Sequence, residues 1–306
     1  MKDLCTICPR ACAVDRELFQ GVCGEGQRVR IARAALHMWE EPPISGESGS
    51  GTVFFSGCTL RCVYCQNASI ATGAVGREVT VERLAEIFLE QQQRGALNIN
   101  LVTPTHFAPQ IREALDLARS PEFAATPLKL PVVYNTSGYE TSLALDAMRG
   151  YIDIFLTDFK YASSDIAARY SKAPDYPQVA SEALDHMFEN VGSLRYGTSE
   201  GGEERLEQGV IVRHLLLPGQ LDDSKRVMEI LASKPYRDEI IVSLMNQYTP
   251  VNDVSAEYPE LMERVRAKDY EELIDYALGL GLENSFMQEG DAAEESFIPD
   301  FDFEGV

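Results

Sequence analysis

The sequence predicts an α/β protein whose main part is a partial parallel (β/α) barrel of about six strand–helix units, with a small Cys-rich appendage at the N-terminus. Short apolar runs alternate with amphipathic stretches, and the segments between the runs are long enough for the right-handed crossovers that join parallel strands. Polar motifs follow several of the apolar runs, and the active sites of parallel barrels lie at the carboxyl ends of their strands. A doubly wound open sheet is the alternative fold.

The predicted strands are near-continuous apolar runs, which is the pattern of strands that are buried on both faces. They cover residues 52–56, 98–102, 131–135, 152–158, 210–217 and 239–244. Helical patterns lie between them. Thr80 and Ser181 stand at the start of two of these patterns, so each is predicted to cap the first turn of a helix with its hydroxyl group.

The composition is that of one large core with a short appendage. The chain has 306 residues, of which 45% are hydrophobic. Lys and Arg number 27, and Asp and Glu number 48, which gives a formal net charge of −21. This charge argues against a nucleic-acid partner, because phosphate binding relies on clustered cations. No apolar run approaches the roughly 18 residues of a membrane helix, and the N-terminus has no apolar signal core. We therefore expect a cytoplasmic protein without a membrane partner.

Three thiols in the run GCTLRCVYCQN carry the most specific functional information. Cys58, Cys62 and Cys65 are separated by three and then two residues, so one tight loop can present three sulfurs to a cubane iron–sulfur cluster. The fourth iron then has no protein ligand and is open to a substrate or cofactor. A zinc site is the first alternative, but structural zinc requires four ligands. A disulfide is the second, and it is disfavoured in a chain without a secretory signal.

Four further thiols lie close together at the N-terminus. Cys5, Cys8, Cys12 and Cys23 could close either a structural zinc site or a second iron–sulfur cluster. Because this segment is too short to form a hydrophobic core of its own, metal binding would supply the free energy that folds it.

The run GCTLRCVYCQN resembles the cluster loop of radical S-adenosylmethionine (SAM) enzymes. The chain as a whole resembles the uncharacterised homologues of pyruvate formate-lyase activating enzyme. The motifs that carry this similarity run from Cys5 to Tyr248; they are CTICPRACAVDR, GVCG, AALHMWEEPPISGESGSGTVFFSGC, VTPTH, YNTSGYE, DFKY, VIVRHLLLPG and LMNQYTP.

The resemblance implies a chemistry. In such enzymes the open iron of a [4Fe-4S] cluster binds SAM, and one electron cleaves SAM to methionine and a 5′-deoxyadenosyl radical that abstracts hydrogen from the substrate. It also implies an electron donor such as flavodoxin or ferredoxin, and a protein substrate such as a glycyl-radical enzyme. No residue is assigned to the hydrogen transfer itself. The competing class is a non-enzymatic iron–sulfur electron carrier or redox sensor, which would have a fourth protein ligand on each cluster and no affinity for SAM.

The resemblance also implies roles for individual residues in binding SAM. Tyr64 would lie beside the adenine or, on the alternative reading, fill the core as an aromatic residue. Thr103 and Thr105 occupy the segment where relatives carry a Gly-Gly-Glu type sequence that takes the methionine amino group. This chain has no Glu there. Lys160 and Arg213 resemble the cationic pair that holds the methionine carboxylate, and each such charge-assisted bond contributes about 1.5–3 kcal/mol.

A further group resembles the positions that surround a monovalent cation in pyruvate formate-lyase activating enzyme. It comprises Asn135, Thr136 and Asp158. Asn135 stands where that enzyme has an aspartate, and the missing charge weakens the binding of a hard cation.

The chain therefore divides into three predicted parts. Residues 1–45 form the Cys-rich metal-binding leader, residues 46–282 the radical SAM core and residues 283–306 an acidic tail. The tail contains no Lys or Arg, so it is predicted either to stay solvated and disordered or to dock on the body of the protein. The aromatic residues available for docking are Phe297, Phe301 and Phe303.

Overall fold

Ten strands and nine α-helices follow one another in the described residues, which are 4–250, 257–287 and 299–306 of the computed structural model. The strands are β1 (Arg30–His37), β2 (Ser50–Phe55), β3 (Arg77–Glu78), β4 (Ile99–Val102), β5 (Val132–Thr136), β6 (Ile154–Asp158), β7 (Arg195–Thr198), β8 (Glu204–Leu215), β9 (Ile241–Met245) and β10 (Ser285–Met287). The helices are α1 (Pro42–Ser45), α2 (Ala68–Ala71), α3 (Val81–Gln93), α4 (Ala108–Arg119), α5 (Ser142–Ala147), α6 (Ser164–Ser171), α7 (Tyr176–Val191), α8 (Leu221–Ala232) and α9 (Ala267–Gly279).

The strands form one mostly parallel sheet. Its order is β10-β9-β8-β6-β5-β4-β2-β1-β3, and β7 pairs with β8 as an antiparallel hairpin. The strands from β2 to β10 along this order are parallel, whereas β1 and β3 are antiparallel additions beyond β2. Within the described residues, β10 and β3 lie at the two ends and no hydrogen bonds close the sheet. The predicted α/β fold with a partial parallel barrel is confirmed.

Alternate residues of the central parallel strands face two different apolar cores. In β5, Val132 and Tyr134 belong to the larger core, which the long helices cover, and Val133 belongs to a smaller core on the opposite face. Ile44 of α1 packs in this smaller core. We call the face that carries the smaller core the inner face. Because the long helices pack on the other face, the inner face is left available for a site near the carboxyl ends of the strands.

The six predicted strands are present as β2, β4, β5, β6, β8 and β9. The capping prediction is confirmed for Thr80, whose Oγ1 accepts a hydrogen bond from the backbone N–H of Arg83 at 3.1 Å. It is wrong for Ser181, which lies inside α7, and its hydroxyl accepts a hydrogen bond from Nζ of Lys234 at 2.8 Å instead. The helix begins earlier, at Tyr176, because a proline in its first turn has the right φ and no N–H to satisfy.

The sequence does not predict β1, β3, β7 or β10. β1 reads RIARAALH, which is poor in the β-branched and aromatic residues that favour strands, and its pairing with β2 overrides this weak propensity. β1 falls within the predicted leader, and β10 within the predicted tail. Both are strands of the one sheet. The division of the chain into three parts stays a prediction.

The end of the acidic tail packs against β1 and β2. The ring of Phe301 meets the ring of Phe54 edge-on, with 5.5 Å between their centroids, and the guanidinium of Arg77 lies 4.2 Å from the centroid of Phe303. The backbone N–H of Ala34 donates a hydrogen bond to the carbonyl of Glu304 at 2.8 Å. The third aromatic residue of the docking prediction, Phe297, lies outside the described residues.

Candidate active site

The three-thiol loop follows β2 directly. Cys58, Cys62 and Cys65 are each half-buried, and the loop turns at Arg61, which has a left-handed φ of 58°. Sγ of Cys58 accepts hydrogen bonds from the backbone N–H groups of Leu60 and Arg61, each at 3.4 Å. Such donors stabilise a thiolate and tune a cluster that it binds.

The thiols lie within electrostatic reach of one another and of Lys160. Burial, together with the neighbouring Cys58 and Cys62, raises the pKa of Cys65 to about 12, whereas Lys160 opposes the shift. Burial also raises the pKa of Cys58, with Cys62 adding and Lys160 opposing. Deprotonation of these thiols therefore requires a compensating positive charge, which a metal centre supplies. In the described part of the chain, no three His, Cys, Asp or Glu side chains converge as ligands of a single metal ion would.

Tyr64 is buried in the aromatic core beside this loop. Its hydroxyl group hydrogen-bonds that of Tyr161 at 2.7 Å, the Tyr161 hydroxyl group meets Ser171 Oγ at 2.8 Å, and Ser171 donates to Sγ of Cys62 at 3.1 Å. This chain of hydrogen bonds links the tyrosine to a thiol of the loop. The ring of Tyr64 also meets that of Tyr248 edge-on at 6.3 Å. Its location agrees with the reading of Tyr64 as a core aromatic, and its contact with adenine stays a prediction.

Arg213 and Lys160 meet at one carboxylate. The parallel register of β6 and β8 sets Asp158 beside Arg213. Asp158 accepts a hydrogen bond from Nζ of Lys160 at 2.6 Å on one oxygen, and from Nε of Arg213 at 3.0 Å on the other. Burial alone would raise the pKa of Asp158, but the two cations outweigh it and hold that pKa below its usual value. The two predicted cations are therefore held together, ionised and nearly buried, at the carboxyl ends of neighbouring strands.

Two further side chains complete the environment of Arg213. Its Nη2 donates to Oδ1 of Asn135 at 2.7 Å, and its Nη1 lies 3.4 Å from Oε2 of Glu40. Oε1 of Glu40 accepts a hydrogen bond from Nδ2 of Asn100 at 3.0 Å. Burial raises the pKa of Glu40, and the charge of Arg213 opposes the shift. We call these side chains the Arg213 network; its members are Glu40, Asn100, Asn135, Asp158, Lys160 and Arg213.

The sequence analysis misses Glu40 because this residue follows β1 and does not end a parallel strand. The usable signal is the run WEEPP, in which two adjacent carboxylates precede a rigid Pro-Pro turn. That turn begins α1, which packs on the inner face and so carries Glu40 toward Arg213.

Thr103 and Thr105 lie at the end of β4. Thr103 has a φ of 58°, a conformation that glycine adopts freely and a β-branched residue rarely does. The Thr105 hydroxyl group donates to Oε1 of Glu140 at 2.6 Å, and the Thr136 hydroxyl group donates to the same oxygen. The segment that lacks a Glu of its own therefore has the carboxylate of Glu140 beside it. Sequence reasoning did not assign this residue.

The structure separates the side chains of the predicted cation group. Asn135 and Thr136 are consecutive in β5, so their side chains point to opposite faces of the sheet. Asn135 joins Asp158 at Arg213, whereas the Thr136 hydroxyl group bonds to Glu140. Glu140 is buried, and among the described residues its Oε2 has no hydrogen-bond partner.

The N-terminal leader is docked on the three-thiol loop. The backbone N–H of Cys58 donates to the carbonyl of Cys23 at 3.1 Å. Arg10 donates from Nε to the carbonyl of Thr59 at 2.9 Å and from Nη2 to that of Leu60 at 3.1 Å. Arg61 donates to the carbonyl of Val22 at 3.0 Å. The leader therefore fixes the backbone of the loop from one side.

The thiols of the leader are sequestered to different degrees. Cys8 and Cys23 are buried, and Cys5 and Cys12 are half-buried. Burial raises the pKa of Cys8 to about 12. A Cβ added at Gly21 would lie 3.3 Å from Sγ of Cys12 and 3.4 Å from Sγ of Cys23, so these two sulfurs flank the glycine.

A cavity of about 340 Å³ opens along the inner face beside the Arg213 network. Its size is in the range of ligand-binding clefts. Glu40 and Arg213 of the network line it, together with a third charged residue, Glu41. Apolar surface comes from Trp39, Phe54, Val102, Met245 and Phe286.

Comparison with known proteins identifies the class. The model of the radical SAM superfamily matches residues 52–231, which is more than half of the chain and begins at the strand that leads into the three-thiol loop. The chain belongs to the radical SAM superfamily and is a radical SAM enzyme, a class whose cofactors are a [4Fe-4S] cluster and SAM.

The chain is also similar to Uncharacterized protein MJ0674 of Methanocaldococcus jannaschii. The two are 25% identical over 283 residues, which cover 89% of this chain and 74% of that protein. In the described residues, none of the helices has the length and apolar character needed to cross a membrane.

Gly57 provides a test of the contact between leader and loop. It has a φ of 83°, and an added Cβ would lie 2.5 Å from Cγ of Glu25 and 2.8 Å from the Cys23 carbonyl. Gly57→Ala should therefore lower the thermal unfolding temperature and the iron bound per chain. Gly150→Ala is the matched control, since Gly150 has a φ of 80° and its Cβ would meet nothing within 4 Å. In the control, the free energy of unfolding should fall by about 1–2 kcal/mol, which is the cost of an alanine in the left-handed conformation. In Gly57→Ala it should fall by about 1–3 kcal/mol more, because of the steric overlap. Equal losses in the two variants would contradict this reading.

Glu140 predicts a pH dependence of stability. Burial raises its pKa from 4.5 to about 7, despite the two hydroxyl groups that favour the ionised form. Between these pH values the carboxyl group of Glu140 is ionised in the unfolded chain and protonated in the folded chain. The free energy of unfolding of the wild type therefore falls by about 3 kcal/mol as the pH rises through this window. Glu140→Gln removes this loss, so its unfolding temperature relative to the wild type should rise from pH 4.5 to pH 7.5. For Glu86→Gln, which alters an exposed residue of α3, the difference should stay constant. A constant difference for Glu140→Gln as well would contradict the prediction.

Proposed function

We propose that Cys58, Cys62 and Cys65 hold the [4Fe-4S] cluster and leave its fourth iron for SAM, and that the enzyme uses the resulting radical to modify a protein or peptide, as glycyl-radical activating enzymes do. When bound, the cluster and SAM supply a 5′-deoxyadenosyl radical by one-electron cleavage of the sulfonium. The residues of the chain bind and orient these groups and exclude water from them.

The Arg213 network is the observation that carries this proposal. A methionine carboxylate needs cations that are already ionised and fixed, and Asp158 keeps both Lys160 and Arg213 in that state. Lys160 is also within electrostatic reach of the loop thiols. A ligand bound to this pair would therefore lie next to the proposed cluster.

The remaining contacts with SAM are proposed from the strand ends. We assign the methionine amino group to the segment of Thr103 and Thr105, and the left-handed φ of Thr103 supports its equivalence to the glycine-containing segment of relatives. We assign the adenine to the side of the loop near Tyr64. A monovalent cation is an optional further cofactor, and of its predicted ligands the side chains of Asn135 and Asp158 lie together at Arg213, whereas that of Thr136 does not.

A protein or peptide target is supported by the rim of the cavity. Trp39 lines the cavity and is 63% exposed. The preceding residue, Met38, is 41% exposed, and Trp and Met are residue types that are enriched at protein interfaces. The electron donor is proposed to be a flavodoxin or a ferredoxin.

The first test is the release of 5′-deoxyadenosine from SAM by cluster-loaded protein under anaerobic, reducing conditions. Cys62→Ala should abolish the release.

Arg213→Met should weaken SAM binding about tenfold or more, because it removes a charge-assisted contact. Arg213→Lys should retain part of the affinity, and Arg195→Met, on the exposed hairpin strand β7, should retain all of it. Cluster-loaded wild type that neither binds nor cleaves SAM would overturn the proposal and favour an electron carrier or redox sensor.

The leader is proposed to hold a second iron–sulfur cluster through Cys5, Cys8, Cys12 and Cys23. Its contact with the three-thiol loop supports a role in passing electrons to the first cluster. A zinc ion would instead only stabilise the fold of the leader.

The second test compares Cys8→Ala with Cys62→Ala. Cys8→Ala should lower the iron content measured by elemental analysis and retain some SAM cleavage, because the three-thiol loop keeps its own ligands. Complete loss of cleavage in both variants would mean that leader and loop form one functional unit. One zinc per chain in protein purified without oxygen would overturn the proposed second cluster.

A further inference from the structure

Glu41 is a buried carboxylate that the Arg213 network does not neutralise. It lines the cavity and is only 8% exposed, and in the described residues its Oε2 has no hydrogen-bond partner. Its backbone is fixed, because its carbonyl accepts hydrogen bonds from Ile44 at 2.8 Å and Ser45 at 3.1 Å and two prolines follow it. An unpaired carboxylate in a desolvated position is costly unless a ligand satisfies it.

Around the cavity, the carboxylates outnumber the cations by one. Asp158 is paired with both Lys160 and Arg213, and Glu40 takes a further contact from Arg213. Glu41 forms no salt bridge within the described residues: the charge of Arg213 attracts it from beyond 4 Å, Glu40 repels it, and a hydrogen bond with Ser243 favours its ionised form. Three carboxylates therefore share two cations.

His37 does not supply the missing charge. It also lines the cavity, and burial lowers its pKa, with Arg33 and Arg213 lowering it further, so the imidazole is neutral. Burial raises the pKa of Glu41, and the charge of Arg213 opposes the shift without cancelling it. A cationic ligand would reverse that shift.

The walls of the cavity suit an aliphatic stem behind such a cation. Phe54, Val102, Met245 and Phe286 contribute apolar surface. The indole of Trp39 at the rim can also attract a cation through its ring face. A few fixed charged and polar groups beside apolar surface are the arrangement by which ligand sites set orientation and specificity.

We infer that the substrate carries an ammonium or guanidinium group on an aliphatic stem and that Glu41 binds this group. The inference rests on the proposed function, in that it takes this cavity as the substrate site of the radical enzyme. A lysine or arginine side chain of a protein and a free aliphatic amine share this chemistry.

The test uses the only tryptophan of the chain, which lines the cavity, as a fluorescent reporter. Cluster-loaded protein is titrated anaerobically, with and without SAM, with butylammonium or butylguanidinium, with the neutral probe 1-pentanol and with the anion valerate. With SAM present, so that the proposed carboxylate site at Arg213 is filled, the cations should bind saturably and more tightly than the neutral and anionic probes. Calorimetry under the same conditions gives an affinity that does not depend on the fluorophore. A short peptide with one lysine and its acetyllysine form then distinguish a protein source from a free amine.

Substitutions of Glu41 decide whether this residue is the partner. Glu41→Gln should weaken the binding of both cations about tenfold or more, because a buried charge pair is lost, and should leave the affinity for 1-pentanol unchanged. Glu41→Asp keeps the charge and should retain part of the selectivity. It also serves as the test variant if Glu41→Gln does not fold. Glu47→Gln, an exposed residue of the same segment, is the matched control and should bind like the wild type.

Three results would overturn the inference. The first is equal affinity for the cations and 1-pentanol, or no binding of the cations at all. The second is unchanged cation affinity in Glu41→Gln. The third is a loss of SAM affinity in Glu41→Gln without a loss of cation affinity, which would make Glu41 part of the SAM site. The release of 5′-deoxyadenosine is measured on the same preparations, so failure of the radical chemistry and failure of cation recognition are read separately.

Discussion

The pairing of Arg213 with Asp158 is the interaction on which the rest of the site depends. Two charged side chains lie nearly buried on neighbouring parallel strands, and their attraction is stronger there than it would be in water. Each is expensive to bury without the other. The register of β6 and β8 sets them side by side, and Lys160, Asn135 and Glu40 satisfy their remaining atoms. The arrangement of strands therefore fixes where an anionic ligand group can bind.

A second constraint acts on the three-thiol loop from outside the sheet. One side of the loop is held by the body of the protein, through the hydrogen bond from Val63 N–H to the Tyr170 carbonyl of α6 and the buried ring of Tyr64. The leader holds the other side through the Cys23 carbonyl and the guanidinium of Arg10. Gly57 allows this close approach because it has no side chain. Any metal that orders the leader therefore also orders the backbone that presents Cys58. On the proposed function, this links the state of one metal centre to the geometry of the other even if no electron passes between them.

The six parallel strands and the three-thiol loop were predictable because both have strong local patterns. Buried parallel strands are apolar throughout, and the cysteine spacing is short. β1 was not predictable in the same way, because an Ala-rich strand is recognised only by the strand it pairs with. The roles of Glu40 and Glu140 could not be predicted from the sequence for a similar reason. Each approaches the strand ends from another segment, and only the folded chain brings Glu40 to Arg213 and Glu140 to Thr105. Sequence pattern locates the strand ends, but not the side chains that reach them from elsewhere.

Glu40 and Glu41 share one rigid segment, and their different environments connect the two proposed ligands. Glu40 is tied to the Arg213 network, whereas Glu41 relies on Arg213 only through longer-range attraction. A methionine carboxylate bound at Arg213 would partly neutralise the positive charge of this residue. The carboxylate of Glu41 would then be less stabilised by Arg213, so a cation bound to Glu41 would be stabilised more strongly. Binding of SAM should therefore strengthen the binding of a cationic substrate, and linkage requires that the substrate strengthen the binding of SAM to the same degree. Such coupling would favour the simultaneous presence of both ligands, which protects an enzyme of this class from generating a radical that has no substrate to attack.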